Sequence, residues 1–243
     1  MDATLGLWRR AGAEGLAAFA LVFAGCGAII TNHNDHGALG PVGVSLVFGL
    51  IIMAMIYATG HLSGAHINPA ITLAAAVTSG NYGQLLVYWS AQLLGAMSGA
   101  VLVTLHYAPH WRLTPDPAAK LGVFCTNGAV RSPLANIFGE VLCTVVLIVV
   151  VAAIFSHGVA MNGPAAGLGP WLVGSLVWGI GLSLGGTTGY AINPARDLGP
   201  RIVHALLPIP GKGGSNWSYA PIPIVGPLTG AVLAGLLLRY AHL

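Results

Sequence analysis

Leu62-Ser63-Gly64-Ala65-His66-Ile67-Asn68-Pro69-Ala70 and Thr187-Thr188-Gly189-Tyr190-Ala191-Ile192-Asn193-Pro194-Ala195 are two versions of one segment. Aligned on Asn-Pro-Ala, Ser63 falls on Thr188, Gly64 on Gly189 and Ile67 on Ile192. Asn is a strong helix N-cap and Pro is favoured at the first helical position, so each triplet reads as the start of a short helix. A segment repeated at this distance marks an internal repeat of the whole chain.

The flanks define what is repeated. Apolar runs fall at about 8–31, 41–60, 83–107, 133–156, 168–187 and 219–241. Each approaches the roughly 20 residues that a helix needs to cross a hydrocarbon core. The two Asn-Pro-Ala segments sit between the second and third runs and between the fifth and sixth, and are too short to span. The first repeat covers about 1–110 and the second about 130–243, within a single domain over 1–243. A unit with an odd number of spans must enter the membrane upside down in its second copy. The two short helices of such an inverted repeat meet near the midplane.

Composition agrees. The 243 residues are 56% hydrophobic and 6% charged, against about 25% charged in soluble domains. A surface so poor in charge suits lipid as its surroundings. Glycine, at 35 residues, lets helix backbones approach closely where lipid gives them little other reason to associate; Gly95-x-x-x-Gly99, Gly181-x-x-x-Gly185 and Gly226-x-x-x-Gly230 read as such contacts. The net charge of +3 and the lack of a basic run argue against nucleic acid as a partner.

Within the spans stand two carboxylates, Glu14 and Glu140, at nearly equal distances ahead of Asn68 and Asn193. A buried carboxylate needs donors. The shared position assigns them to bracing the two re-entrant segments; a proton relay is the rival reading. Asn rather than Asp at both helix starts leaves a side-chain NH₂ as a donor toward the lumen, while the oxygen caps the helix. Two converging donors and two positive helix ends suit a hydroxyl or water oxygen and repel cations.

Other features carry less. Arg9 and Arg10 ahead of an apolar stretch ending at Cys26 resemble a cleaved lipoprotein signal, but Glu14 interrupts the stretch and the apolar pattern runs on to Ile30, so it reads as a retained span. Cys26, Cys125 and Cys143 lack metal or redox spacing. His33, Asp35 and His36 read as a polar loop, not a metal site. No metal and no cofactor is expected. His66 reads as a structural hydrogen-bonder beside the pore.

The chain resembles the major intrinsic proteins, the aquaporins and aquaglyceroporins, at Ser63–Ala70, at Gly189–Arg201, at both span glutamates and at Gln92. The resemblance implies an all-α membrane protein: six transmembrane helices plus two re-entrant half-helices in an inverted repeat. It also implies a homotetramer in the lipid bilayer with one pore per protomer and both termini cytoplasmic. Charge alone leaves the orientation ambiguous, since Arg112, Lys120 and Arg131 crowd the opposite side.

Asp197 and Arg201 after Asn-Pro-Ala-Arg, Pro223-Ile224 in the last span and Tyr107 are similar to the glycerol facilitator branch. Asp197 belongs with the glutamates as loop support. The outer constriction maps onto Phe48, Gly181, Tyr190 and Arg196. Phe48 and Tyr190 offer an apolar wall, Gly181 leaves room for a carbon chain, and Arg196 offers fixed donors. The expected function is a passive pore for glycerol-type polyols and water that excludes ions and protons. A water-selective pore is the alternative, as is a metalloid-conducting pore of the nodulin-like branch. A coupled transporter lacks a spare intramembrane acid, and an intramembrane enzyme lacks a nucleophile with its base.

Overall fold

The computed structural model describes residues 6–156 and 167–241. In chain order the first half runs α1 (Leu7–Asn34), α2 (Gly40–Ser63), α3 (Pro69–Ser79) and α4 (Leu85–His106). A connection follows, containing a 3₁₀ turn (Ala108–Arg112) and α5 (Pro117–Phe124). The second half runs α6 (Pro133–Phe155), α7 (Gly169–Ser183), α8 (Pro194–Leu206) and α9 (Ile222–Ala241). Helices α1, α2, α4, α6 and α9 are long and apolar enough to cross a membrane. The described part of α7 has 15 residues.

Two elements depart from the sequence expectation. The fifth span, expected over 168–187, leaves the helix at Ser183. Gly185-Gly186-Thr187-Thr188 forms turns instead, and the Ala129 N–H bonds to the Thr187 carbonyl at 2.9 Å. The connection between the halves, expected as loop, holds a helix. Its start is marked by Asp116, which caps the Ala118 N–H at 2.9 Å, and by Pro117 at the first helical position.

Glycines set how closely the spans cross. A Cβ on Gly95 would lie 2.0 Å from the Gly15 carbonyl oxygen, and one on Gly99 2.5 Å from that of Phe19. These fix α1 on α4. In the other half a Cβ on Gly230 would lie 2.7 Å from the Val141 carbonyl oxygen, fixing α6 on α9. Gly49 and Gly174 do the same for α2 and α7. Real side chains cannot occupy such distances, so packing here is backbone against backbone.

The halves are interlocked rather than merely joined. The short helix α3 of the first half packs on α9 of the second, and α8 of the second packs on α4 of the first. Gly235 meets Ala74 and Val77 at one crossing; Gly199 meets Ala96 and Met97 at the other. Each half thus supplies the outer wall for the other's short helix. The site lies where the starts of α3 and α8 come together.

Candidate pore and its constriction

The segments leading into α3 and α8 share an uncommon backbone. Gly64 and Gly189 have φ of +90° and +79°, which glycine adopts freely. Ala65 (+48°), Ile67 (+61°), Tyr190 (+41°) and Ile192 (+43°) are left-handed too. For a β-branched residue this costs on the order of 1–3 kcal/mol, so the surroundings must hold it.

The two glutamates do the holding. Glu14, on α1 and fully buried, accepts the N–H groups of His66 (2.8 Å) and Ile67 (2.6 Å), the Ser63 hydroxyl (2.6 Å) and the Gln92 amide (2.8 Å). Glu140, on α6, accepts the N–H groups of Ala191 (2.9 Å) and Ile192 (2.8 Å) and the Thr188 hydroxyl (2.6 Å). Each carboxylate fixes two successive peptide groups. In a trans peptide the carbonyl points opposite to the N–H. The carbonyls of Ala65 and His66, and those of Tyr190 and Ala191, therefore face away from the glutamates. All four residues line the central cavity.

That cavity has a volume of about 300 Å³ and is walled by Leu21, Ile52, Ile56, Ile71, Leu147 and Val177 among other apolar residues. Among the described residues, no Asp or Glu lines it. Asn68 and Asn193 both reach it. The Asn68 side-chain oxygen caps the Ala70 N–H at 2.8 Å; that of Asn193 caps those of Ala195 (3.1 Å) and Arg196 (3.2 Å). Pro69 and Pro194 open the two helices, and Ala70 and Ala195 are buried behind them. The amide groups are more committed than the sequence suggests. Asn68 donates to the Ile192 carbonyl at 2.7 Å, and Asn193 to the Ile67 carbonyl at 3.1 Å. Each asparagine thus staples its helix start to the opposite loop, and one of its two amide hydrogens remains for the lumen.

Toward one end the cavity meets Phe48, Tyr190 and Arg196. The rings of Phe48 and Tyr190 lie edge to face, 6.3 Å apart at 75°. The Arg196 guanidinium carbon lies 5.0 Å from the Phe48 ring centre, and Arg196 Nη1 donates to the Phe124 carbonyl at 3.2 Å. Phe48 reaches its place because Gly25 has no side chain: a Cβ there would stand 2.3 Å from the ring.

Gly181 is arranged differently from the expectation of open space. A Cβ on it would lie 2.8 Å from Tyr190 Cζ and 2.8 Å from Ser45 Cβ. The space that the missing side chain vacates is filled by the Tyr190 ring, so Gly181 stands behind Tyr190 and off the cavity wall.

Asp197 and Arg201 form a buried ion pair at 2.7 Å. Asp197 also accepts the N–H and hydroxyl of Thr126, each at 2.7 Å. Arg201 donates to the carbonyls of Ser215, Asn216 and Thr126. Together they tie two connecting segments to α8. His66 bonds to Thr72 through Nδ1 at 3.1 Å and lies edge-on to Tyr88. Sequence reasoning passed over Phe124, Thr126 and Gly25. The Asp116-Pro117 helix start was the available signal for the first two; nothing marked Gly25 among so many glycines.

Two half-helices that meet start to start beside an asparagine-lined cavity, inside a bundle of apolar helices, define an integral membrane channel and not an enzyme. The chain belongs to the Major intrinsic protein family, which it matches over residues 2–238, and it has the aquaporin fold. It is 53% identical over 190 residues to the glycerol uptake facilitator protein of Bacillus subtilis, covering 78% of this chain and 68% of that one. It is 46% identical over 233 residues to the probable glycerol uptake facilitator protein of Thermotoga maritima, covering 94% and 97%. The X-ray structure of the aquaglyceroporin from Plasmodium falciparum matches with a TM-score of 0.84 at 27% identity, over 96% of each chain.

Proposed function

We propose that this chain forms a passive pore for glycerol and similar small polyols, with water also passing and with ions and protons excluded. The observation that carries the reading is the group that Phe48, Tyr190 and Arg196 form on the cavity wall: two rings with centres 6.3 Å apart and a guanidinium 5.0 Å from the Phe48 ring centre. A linear polyol has a carbon edge and a hydroxyl edge. The carbon edge suits Phe48 and Tyr190, and the hydroxyl edge suits the donors of Arg196 and the backbone carbonyls of the two loops. Cations meet Arg196, two positive helix ends and a wall whose described lining has no carboxylate. The names of the relatives in Bacillus subtilis and Thermotoga maritima support glycerol as solute.

Glu14, Glu140, Asp197 and His66 act as loop supports in this reading. The protein works as a homotetramer in the plasma membrane with both termini cytoplasmic. A water-selective pore is the second reading, favoured by the Tyr190 ring that fills the space over Gly181.

Stopped-flow light scattering of proteoliposomes under glycerol, urea and sucrose gradients separates the two. Rapid glycerol entry supports the facilitator; water flux with glycerol excluded overturns it. Asn68→Asp and Asn193→Asp test ion exclusion, since each places a carboxylate against the opposite loop's carbonyl. Reduced flux or a cation leak is expected. Unchanged glycerol flux without a leak in both variants removes the asparagines from the mechanism.

A further inference from the structure

We propose that Phe124 is a positioning residue for Arg196, and that its ring, held against Trp111 and His204, sets the size cut-off of the pore from outside the pore. The inference rests on the pore reading above but not on which solute passes.

Few polar bonds hold the guanidinium. An arginine side chain carries five N–H donors. Among the described residues, Arg196 spends one on protein, in the bond from Nη1 to the Phe124 carbonyl. It also lies over the Phe48 ring face, a contact that tolerates sliding. The location of the guanidinium therefore follows the location of one carbonyl oxygen.

That oxygen sits on the last residue of α5, a helix of 8 residues. Helices this short do not hold themselves in place. The ring of Phe124 supplies the hold. It is fully buried, stacked on Trp111 at 5.5 Å and 18° and tilted against His204 at 5.4 Å. Each partner is anchored in its turn. Trp111 Nε1 donates to the Thr104 carbonyl at 3.0 Å, at the end of α4. His204 Nδ1 bonds to Ser215 Oγ at 2.8 Å, and His204 lies on α8, the helix that carries Arg196. Trp111 is thus fixed to the first repeat and His204 to the second. The Thr126–Asp197 bonds secure the chain just beyond. The connection between the repeats is thereby part of the filter, although none of its residues lines the cavity.

Without the stack the carbonyl loses its fixed height and the guanidinium samples a range of positions. A sharp cut-off then blurs, and the first excluded solute begins to pass. The test uses full-length wild type, Phe124→Leu, Trp111→Leu and Trp111→Phe in proteoliposomes. Fluxes are measured for water, urea, glycerol, erythritol and xylitol. The ratio of each solute to the next smaller one is independent of how many channels folded. Both leucine variants are expected to raise the ratio for the first solute that wild type excludes by roughly two- to tenfold, the scale of a lost aromatic pair. Trp111→Phe keeps a ring and is expected to keep the wild-type ratio.

If both leucine variants lose flux for all solutes in proportion, with ratios unchanged, the stack merely supports the fold and the inference falls. If Phe124→Leu does not fold, Trp111→Leu, one ring further from the filter, decides by the same ratio. If wild type passes water and excludes glycerol, the facilitator reading falls, and the glycerol-to-water ratio in the variants still decides this one.

Discussion

The two half-helices begin alike and continue differently. Both open with Asn-Pro-Ala after a left-handed loop held by a span glutamate. Beyond that point α3 carries Ile71, Thr72 and Ala76 where α8 carries Arg196, Asp197 and Arg201. The shared part does what symmetry demands: it turns the chain back twice and brings the two helix starts together, each asparagine bonded to the opposite loop. The part that differs gives the pore a direction. The charged first turns of α8 place a guanidinium at one end of the cavity and fasten connecting segments around it. The corresponding end of α3 stays apolar, with Ile71 on the cavity wall. Repetition builds the pore, and departure from it adds the buried guanidinium groups of Arg196 and Arg201.

The two half-helices differ most at Arg201. Arg201→Met leaves Asp197 buried without its cation, a change worth about 3–5 kcal/mol. Thermal unfolding in detergent is expected to show a large loss of stability, with little folded protein recovered. The equivalent position in α3 is already Ala76, buried and uncharged. Ala76→Ser is expected to cost far less, and equal losses at the two sites deny that α8 is the special half.

Next come the braces. Glu14→Ala strands four donors and Glu140→Ala three, each buried orphan costing about 1–3 kcal/mol where water does not reach it. Folded yield is expected to fall in both, more for Glu14. An altered proton coupling in a well-folded variant favours the relay reading instead.

At the constriction the expected effect is on flux. Gly181→Ala puts a methyl where the Tyr190 ring and Ser45 lie, and Tyr190 lines the cavity, so displacement of its ring narrows the path. A barrier raised by about 1.4 kcal/mol is tenfold in rate. Glycerol flux is expected to fall by at least that factor and water flux by less; Gly181→His extends the same effect. The matching position in the first repeat, Ile56, lines the cavity as a side chain, and Ile56→Ala is expected to leave glycerol flux within about twofold.

The smallest effect lies at the far ends of the half-helices. Lys212 Nζ donates to the carbonyls of His204 (2.5 Å), Ala205 (2.8 Å) and Leu207 (2.6 Å) at the end of α8. Arg239 Nη1 reaches only Val77 at the end of α3, at 3.3 Å. A cation at a helix C-terminus contributes about 0.3–1 kcal/mol. Lys212→Met is expected to lower the unfolding temperature more than Arg239→Met; the reverse order removes this asymmetry.

Much of this was legible without coordinates. Asn-Pro-Ala written twice implies two helix starts, because capping is a local property of the backbone and its nearest side chain. Three apolar runs per copy imply inversion, because a helix must leave the membrane on the side opposite to its entry. Glu14 and Glu140 read as braces because a carboxylate in a span must find donors. Each inference rests on a constraint that acts within a few residues or on the bilayer itself.

Tertiary structure decided the rest. That Asn68 and Asn193 each bond across to the other loop follows from how deeply the halves interlock, which no spacing encodes. That Gly181 makes room for Tyr190 rather than for solute depends on which neighbour reaches an empty space first. That Phe124 holds Arg196 depends on a stack drawn from α5, α8 and the turn after α4. A repeat and its caps are properties of one strand of chain, whereas the width of a pore is set by contacts between residues far apart in it. The sequence alone determined that there is a pore; the packing of its two halves on one another decided its shape.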